Sequence, residues 1–408
     1  MDYEELLDLS VDLAYQVQQC GAETYRVEET ILRILAAYDV KGEAFAIPSC
    51  IFVSLETPEG KTLTRMRRAY GGSNDTEGME KYMNLCRKIC ATTPSVPDAR
   101  QLLEETTRSI RHFPQMILYL GYFIASFGFA LFFGGSLLDA FCAGLSGLAM
   151  GLVLRLLGKF QVNLFFKTVA AGFTLALVAH LLAVPGWIRN PDQAAIGALM
   201  LQVPGLLFTN SIRDIIYGDT MSGVNRLVQV FIIGVALAVG TGAAISMVRH
   251  IWGETVSAPA SYGLLVECLA IAIGSFGVCV LFNVRGPGVL LCLIGGQISF
   301  LIYELTDALG IHMGVGFFLA AAIASTYAEL MARVRKCPAT SYLLPSLFPL
   351  VPGTDIYYTM DFAIRGDMEQ FLSRGLHTIT LAGCLAIGVL LSSTAFRMWR
   401  DWKAMRKH

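Results

Sequence analysis

Charge is what this sequence has least of. Only 15% of its 408 residues are Asp, Glu, Lys or Arg, where a soluble globular chain carries about 25%. The shortage is uneven. Residues 1–112 are as charged as a soluble protein, whereas from Phe113 onward charges stand singly between long apolar runs. With a net charge of −1, the chain has no basic excess to hold a phosphate backbone, so no nucleic-acid partner is expected. The ten cysteines include no C-x-x-C pair and no Cys/His cluster at metal spacing. Neither a disulfide framework nor a metal site is therefore expected, and no cofactor. Cys86 and Cys90, one helical turn apart, read as packing residues. The acidic start Met1-Asp2-Tyr3-Glu4-Glu5 lacks the apolar core of a signal peptide, which favours a cytoplasmic N-terminal region.

What is present divides at about residue 112. In the first part, Leu6, Leu9, Leu13 and Val17 share one face of a helix over 3–20, closed by Gly21. A second helix over about 23–38 turns Val27, Ile31, Ile34 and Leu35 inward. Strands are expected at 43–47, 50–56 and 61–68, the last two joined by Pro58-Glu59-Gly60, and helices follow at about 76–91 and 96–109. This order makes a small α+β domain over 1–112. Alternation along the third strand puts Arg65 and Arg67 on one face, either as a solvated face or as a surface for anions. The domain offers no nucleophile–base arrangement, and His112 is its one histidine. A membrane-anchored hydrolase is thereby disfavoured.

A membrane-spanning helix needs about 20 mainly apolar residues. Such windows fall near 115–133, 137–157, 165–184, 193–209, 227–248, 262–282, 287–305, 311–332, 338–354 and 376–396. If the N-terminal domain is cytoplasmic, fourteen Lys and Arg residues from Arg155 to Lys407 fall on the inner side. Only four (Arg189, Arg249, Arg365 and Arg374) fall on the outer side. This asymmetry supports ten spans with both termini inside a cell inner (plasma) membrane.

The spans repeat. Val203-Pro204-Gly205 recurs 148 residues later as Val351-Pro352-Gly353, and Gly218-Asp219 recurs as Gly366-Asp367. Asp214 and Asp361 are one residue out of that register. The expected organisation is a first five-helix repeat over 113–250 and a second over 251–408, the latter ending in a basic cytoplasmic tail. An odd number of spans per repeat inverts the second copy relative to the first. This is the plan of many secondary transporters, whose sites lie at broken helices on the repeat interface. The two Pro-Gly steps mark such breaks. Candidate substrate-binding or coupling residues are Gln202, Pro204, Gly205, Asn210, Arg213 and Asp214 around the first, and Pro352, Gly353, Asp355 and Asp361 around the second. Glu329 is placed to pair with Arg333 one turn on. His180 and His312 read as interfacial.

The segment Cys20-Gly21-Ala22-Glu23-Thr24-Tyr25-Arg26-Val27-Glu28 resembles the opening motif of the threonine/serine exporter family. Ile47-Pro48-Ser49-Cys50-Ile51-Phe52-Val53-Ser54 and the two Val-Pro-Gly segments are similar to later parts of that family, so the likeness covers nearly the whole chain. Some relatives split the design over two subunits assigned to succinate export. The resemblance implies proton-driven export of small carboxylate-bearing solutes by alternating access, with no enzymatic step. In that scheme Asp214 and Asp361 would couple protons or bind an ammonium group, and Arg213 would meet a carboxylate. A channel gated by the N-terminal domain is the alternative. The expected partners are the small-molecule substrate, a proton and the lipid bilayer. The sequence leaves the substrate, the coupling ion and a homo-oligomeric state open.

Overall fold

The computed structural model describes residues 2–405 apart from 70, 161, 254–259 and 336; a few helical residues, Arg213 among them, are described by backbone alone. The N-terminal region runs α1 (Tyr3–Gln19), α2 (Thr24–Ala37), β1 (Gly42–Ile47), β2 (Cys50–Glu56), β3 (Thr62–Arg68), α3 (Thr76–Thr92) and α4 (Val96–Ser109). Asp2 caps α1 by accepting from the Glu4 and Glu5 amides, and Asp75 and Ser95 cap α3 and α4. Gly21 takes φ +88°, which ends α1 at the expected residue. The strands form an antiparallel sheet in the order β1-β2-β3. Ile51, Val53 and Leu55 of central β2 face inward onto Leu6, Leu9 and Leu13 of α1 and Ile31 and Ile34 of α2.

The basic edge strand finds its anions within the chain. Arg65 reaches Asp8 at 2.5 Å, and Arg67 pairs with Asp12 while lying over the Tyr15 ring at 4.0 Å. Residues two apart on β3 thus meet residues four apart on α1, which spaces them equally along the two elements. The anion surface allowed by the alternation is occupied by this chain's own carboxylates.

Eight helices among the described residues are long and apolar enough to cross a membrane. They are α5 (Gln115–Phe132), α6 (Leu137–Lys159), α7 (Leu164–Ala183), α10 (Thr220–Trp252), α11 (Leu264–Leu281), α12 (Pro287–Ala308), α13 (Met313–Arg335) and α16 (Met368–Met405). The chain is a polytopic membrane protein. The fourth and ninth expected spans are not continuous helices. Each is a pair of shorter ones: α8 (Pro191–Leu199) with α9 (Gly205–Tyr217), and α14 (Thr340–Leu347) with α15 (Gly353–Arg365). Proline explains both breaks, because it removes a backbone donor and clashes with the preceding turn. Pro204 precedes α9, and Pro345, Pro349 and Pro352 accumulate before α15.

The repeat extends to the elements. α9 and α15 are each 13 residues long, each begins at the Gly of Val-Pro-Gly, and each ends at a left-handed glycine, Gly218 or Gly366. α5 and α11, each 18 residues, pack antiparallel. Gly121 lies on Val280, Ala125 on Gly277, and Gly128 on Gly274. A Cβ at Gly128 would sit 2.2 Å from the Gly274 nitrogen, so this crossing requires glycine for the backbones to touch.

The N-terminal region docks on both halves of the membrane region. Asn283 donates to Asp75 at 2.7 Å, Arg285 meets Glu77 at 2.6 Å, and the Thr76 amide donates to Phe282 O at 3.0 Å. On the other half, Ser222 donates to Ala46 O at 3.3 Å.

Candidate functional site

The two helix breaks meet. A Cβ on Gly205 would stand 2.8 Å from Val351 Cγ1, and one on Gly353 would stand 2.2 Å from the Met200 sulfur. Each Val-Pro-Gly corner therefore packs against the break of the other pair. Around them Met200, Phe348, Val351, Phe129 and Val278 form a shared apolar cluster, with Val203 and Leu201 at its edge. The N-cap residues of α9 and α15 are the prolines Pro204 and Pro352, which cannot cap through a side chain, and the Gly353 amide donates to Val351 O at 2.7 Å. The positive dipole ends of two helices are thus brought to one place inside the apolar region. Such ends favour a negative group. Gln202, Pro204, Gly205 and Asn210 are half-buried, whereas Pro352 and Gly353 are buried, so the corner is more open on the α9 side.

The structure does not bring the two candidate aspartates together. Asp214 is buried on α9 and meets Arg226 Nε at 3.1 Å; Arg226 also donates to Thr24 of α2 at 3.4 Å. Asp361 is buried on α15 and meets Arg249 at 3.3 Å and Arg365 at 2.7 Å. Arg226 and Arg249 stand at opposite ends of α10, about 35 Å apart along its axis at 1.5 Å per residue. One aspartate therefore lies near the N-terminal region and the other at the far end. Asp355, in the first turn of α15, meets Arg374 at 2.9 Å and lies 3.6 Å from His377, so its carboxylate turns to α16. The Arg213 side chain lies outside the described residues; its backbone belongs to α9.

Beside Asp361 lies a polar group that the sequence reading missed. Fully buried Tyr357 of α15 donates to Asp192 of α8 at 3.0 Å. His180 of α7 is 1% exposed, with Nε2 3.7 Å from Asp192. His180 is therefore packed among helices, one turn from the end of α7. Its neighbours come from α7, α8 and α15, so no local spacing in the sequence groups them. A further buried carboxylate, Asp139, closes the capping box of α6 and accepts from the Arg189 and Asn190 amides and from Asn190 Nδ2. Those bonds account for it as a structural clasp between α6 and the start of α8. Among the described residues no group of His, Cys, Asp and Glu is arranged to hold a metal ion.

A family model for threonine/serine exporters matches residues 8–248, and a second threonine/serine exporter model matches residues 267–395. A threonine/serine exporter of Corynebacterium glutamicum is 24% identical over 76% of this chain and 65% of its own length. The pheromone-regulated membrane protein 10 of Candida albicans is 21% identical over 82% of this chain and 31% of its own length. The chain thus spans less than two thirds of these curated relatives. No solved structure matches it.

Proposed function

Because the chain belongs to the threonine/serine exporter family, we propose that it is a secondary active exporter of small carboxylate-bearing metabolites. Threonine- and serine-type amino acids are the first substrates to test, and succinate the next. The observation that carries this reading is the meeting of two helix starts, at Gly205 and Gly353, at one corner. A substrate carboxylate held there by the positive helix ends needs no cationic side chain at that depth.

Two inverted five-helix repeats supply the motion. The antiparallel packing of α5 on α11 supports inversion, as does the placement of the ends of α9 and α15 at opposite ends of α10. Rocking of one repeat against the other exposes the corner first to the side of the N-terminal region and then to the far side. Each candidate aspartate already faces arginine, so proton coupling in this scheme also draws on the buried His180–Asp192–Tyr357 group, whose members span both repeats. Breaking or forming its Tyr357–Asp192 bond is linked to the relative position of α15 and α8. The side of the N-terminal region is the cytoplasm and the membrane is the cell inner membrane, with both termini inside.

Uptake into inverted membrane vesicles tests the reading, with labelled threonine, serine and succinate compared in the presence and absence of a pH gradient. Gradient-dependent uptake of at least one is expected. Absence of uptake for all three removes the substrate assignment, and uptake indifferent to the gradient removes the coupling.

A further inference from the structure

Away from the crossing, a cavity of about 890 Å³ opens where the N-terminal region meets the second half of the membrane region. Its size falls in the range of small-molecule sites. One wall is the start of α2, which carries Glu23, Tyr25, Arg26, Glu28 and Glu29; the other is α13 and the end of α16. On α13, Ser325, Glu329 and Arg333 stand four residues apart and so share one face. Arg26 pairs with Glu23, itself 1% exposed, at 2.8 Å. Burial pushes the Arg26 guanidinium down, but Tyr25, Glu23 and Glu329 hold its proton more strongly, and the balance is upward. Glu329 therefore acts across the junction on the N-terminal region. Arg333 lies over Phe396 at 4.5 Å and Trp399 at 4.9 Å. Among the described residues no carboxylate is paired with it.

Among the described residues the charges lining the cavity balance: four glutamates face four arginines. A dianion entering would gain from the arginines and lose as much to the glutamates, whereas a molecule with one charge of each sign gains from both. We propose that this cavity is a binding site for a free zwitterionic amino acid, its carboxylate on Arg333 and its ammonium on Glu329. The N-terminal region thereby acts as the capture wall of a vestibule. Its role in delivering substrate rests on the export reading, but the binding itself does not.

Equilibrium binding of labelled threonine to the purified full-length protein is the test, with serine and succinate as competitors. Arg333→Gln and Glu329→Gln should each weaken binding about tenfold, the size of one charge-assisted hydrogen bond. Arg333→Lys should retain most of it, and serine but not succinate should compete. The same variants in vesicles should raise KM for threonine while kcat is kept. Unchanged elution on size-exclusion chromatography checks that each variant is folded. Wild-type binding by both Gln variants, no binding by the unaltered protein, or competition by succinate equal to that by serine overturns the proposal. If binding responds as expected but no vesicle transports threonine, the cavity stands and the export reading falls. If threonine is exported with KM unmoved in the variants, the export reading stands and the vestibule falls.

Discussion

α9 and α15 share a backbone and differ in chemistry. Both are 13 residues long, follow a Val-Pro step, begin at glycine and end at a left-handed glycine. Yet α9 presents half-buried Asn210 and pairs Asp214 with Arg226, while α15 buries Tyr357 and pairs Asp361 with Arg249 and Arg365. Repetition kept what makes the corner: a break, a close approach and a helix start in each half. The side chains diverged around it. On this account the repeated features set where a substrate rests, and the unrepeated ones set what drives it and which side releases it.

The largest effect should come from removing the close approach that the two halves share. Gly205→Val and Gly353→Val each place carbon where Val351 or Met200 already stands, and overpacking of this kind costs about 1–3 kcal/mol. Both variants should insert in the membrane yet lose vesicle uptake entirely. Gly383→Val, at a glycine with nothing within 4 Å, should transport normally. Loss in one corner variant but not its counterpart would show that the repeats do not share the site.

Next come the paired aspartates. Asp361→Asn leaves the Arg249 and Arg365 guanidiniums without their carboxylate, and Asp214→Asn does the same to Arg226. Opening a buried ion pair costs about 3–5 kcal/mol, so uptake in either should fall at least a hundredfold. Normal uptake by one of the two would show that only the other repeat's ion pair is needed. Tyr357→Phe removes a single hydroxyl bonded to Asp192, worth about 1.5–3 kcal/mol for a bond to a charged group. It should slow gradient-driven uptake about tenfold while leaving threonine exchange without a gradient nearly intact. Smallest is Asp355→Asn. Its partners Arg374 and His377 are 47% and 40% exposed, and ion pairs of that kind contribute about 0–1 kcal/mol. Less than a threefold change in uptake is expected.

The local features of this chain were legible because they are local. The beta-rich runs and the turn at Pro58-Glu59-Gly60 placed each strand within a residue or two. The Val-Pro-Gly pair marked both helix breaks and, through Gly218 and Gly366, the ends of the helices that follow them. Relations between distant helices were not legible. Asp214 and Asp361 looked like one pair because they nearly share a register, but the folded chain carries equivalent positions to opposite ends of α10. His180, Asp192 and Tyr357 lie on three helices, and nothing in the spacing of one reveals another. Arg65 and Arg67 read as a solvated face or an anion surface because their partners sit more than fifty residues earlier, on α1.

Inversion of the two repeats is the claim on which the rest depends, and one labelling measurement reaches it directly. Thr220 and Met368 begin α10 and α16 at equivalent positions, and both are exposed. Each is replaced singly by cysteine in a background freed of the ten native cysteines. The variants are then treated with a membrane-impermeant maleimide in intact cells and in inverted vesicles. The account predicts that Thr220→Cys reacts only in inverted vesicles and Met368→Cys only in intact cells. Reaction of both from the same side would contradict it.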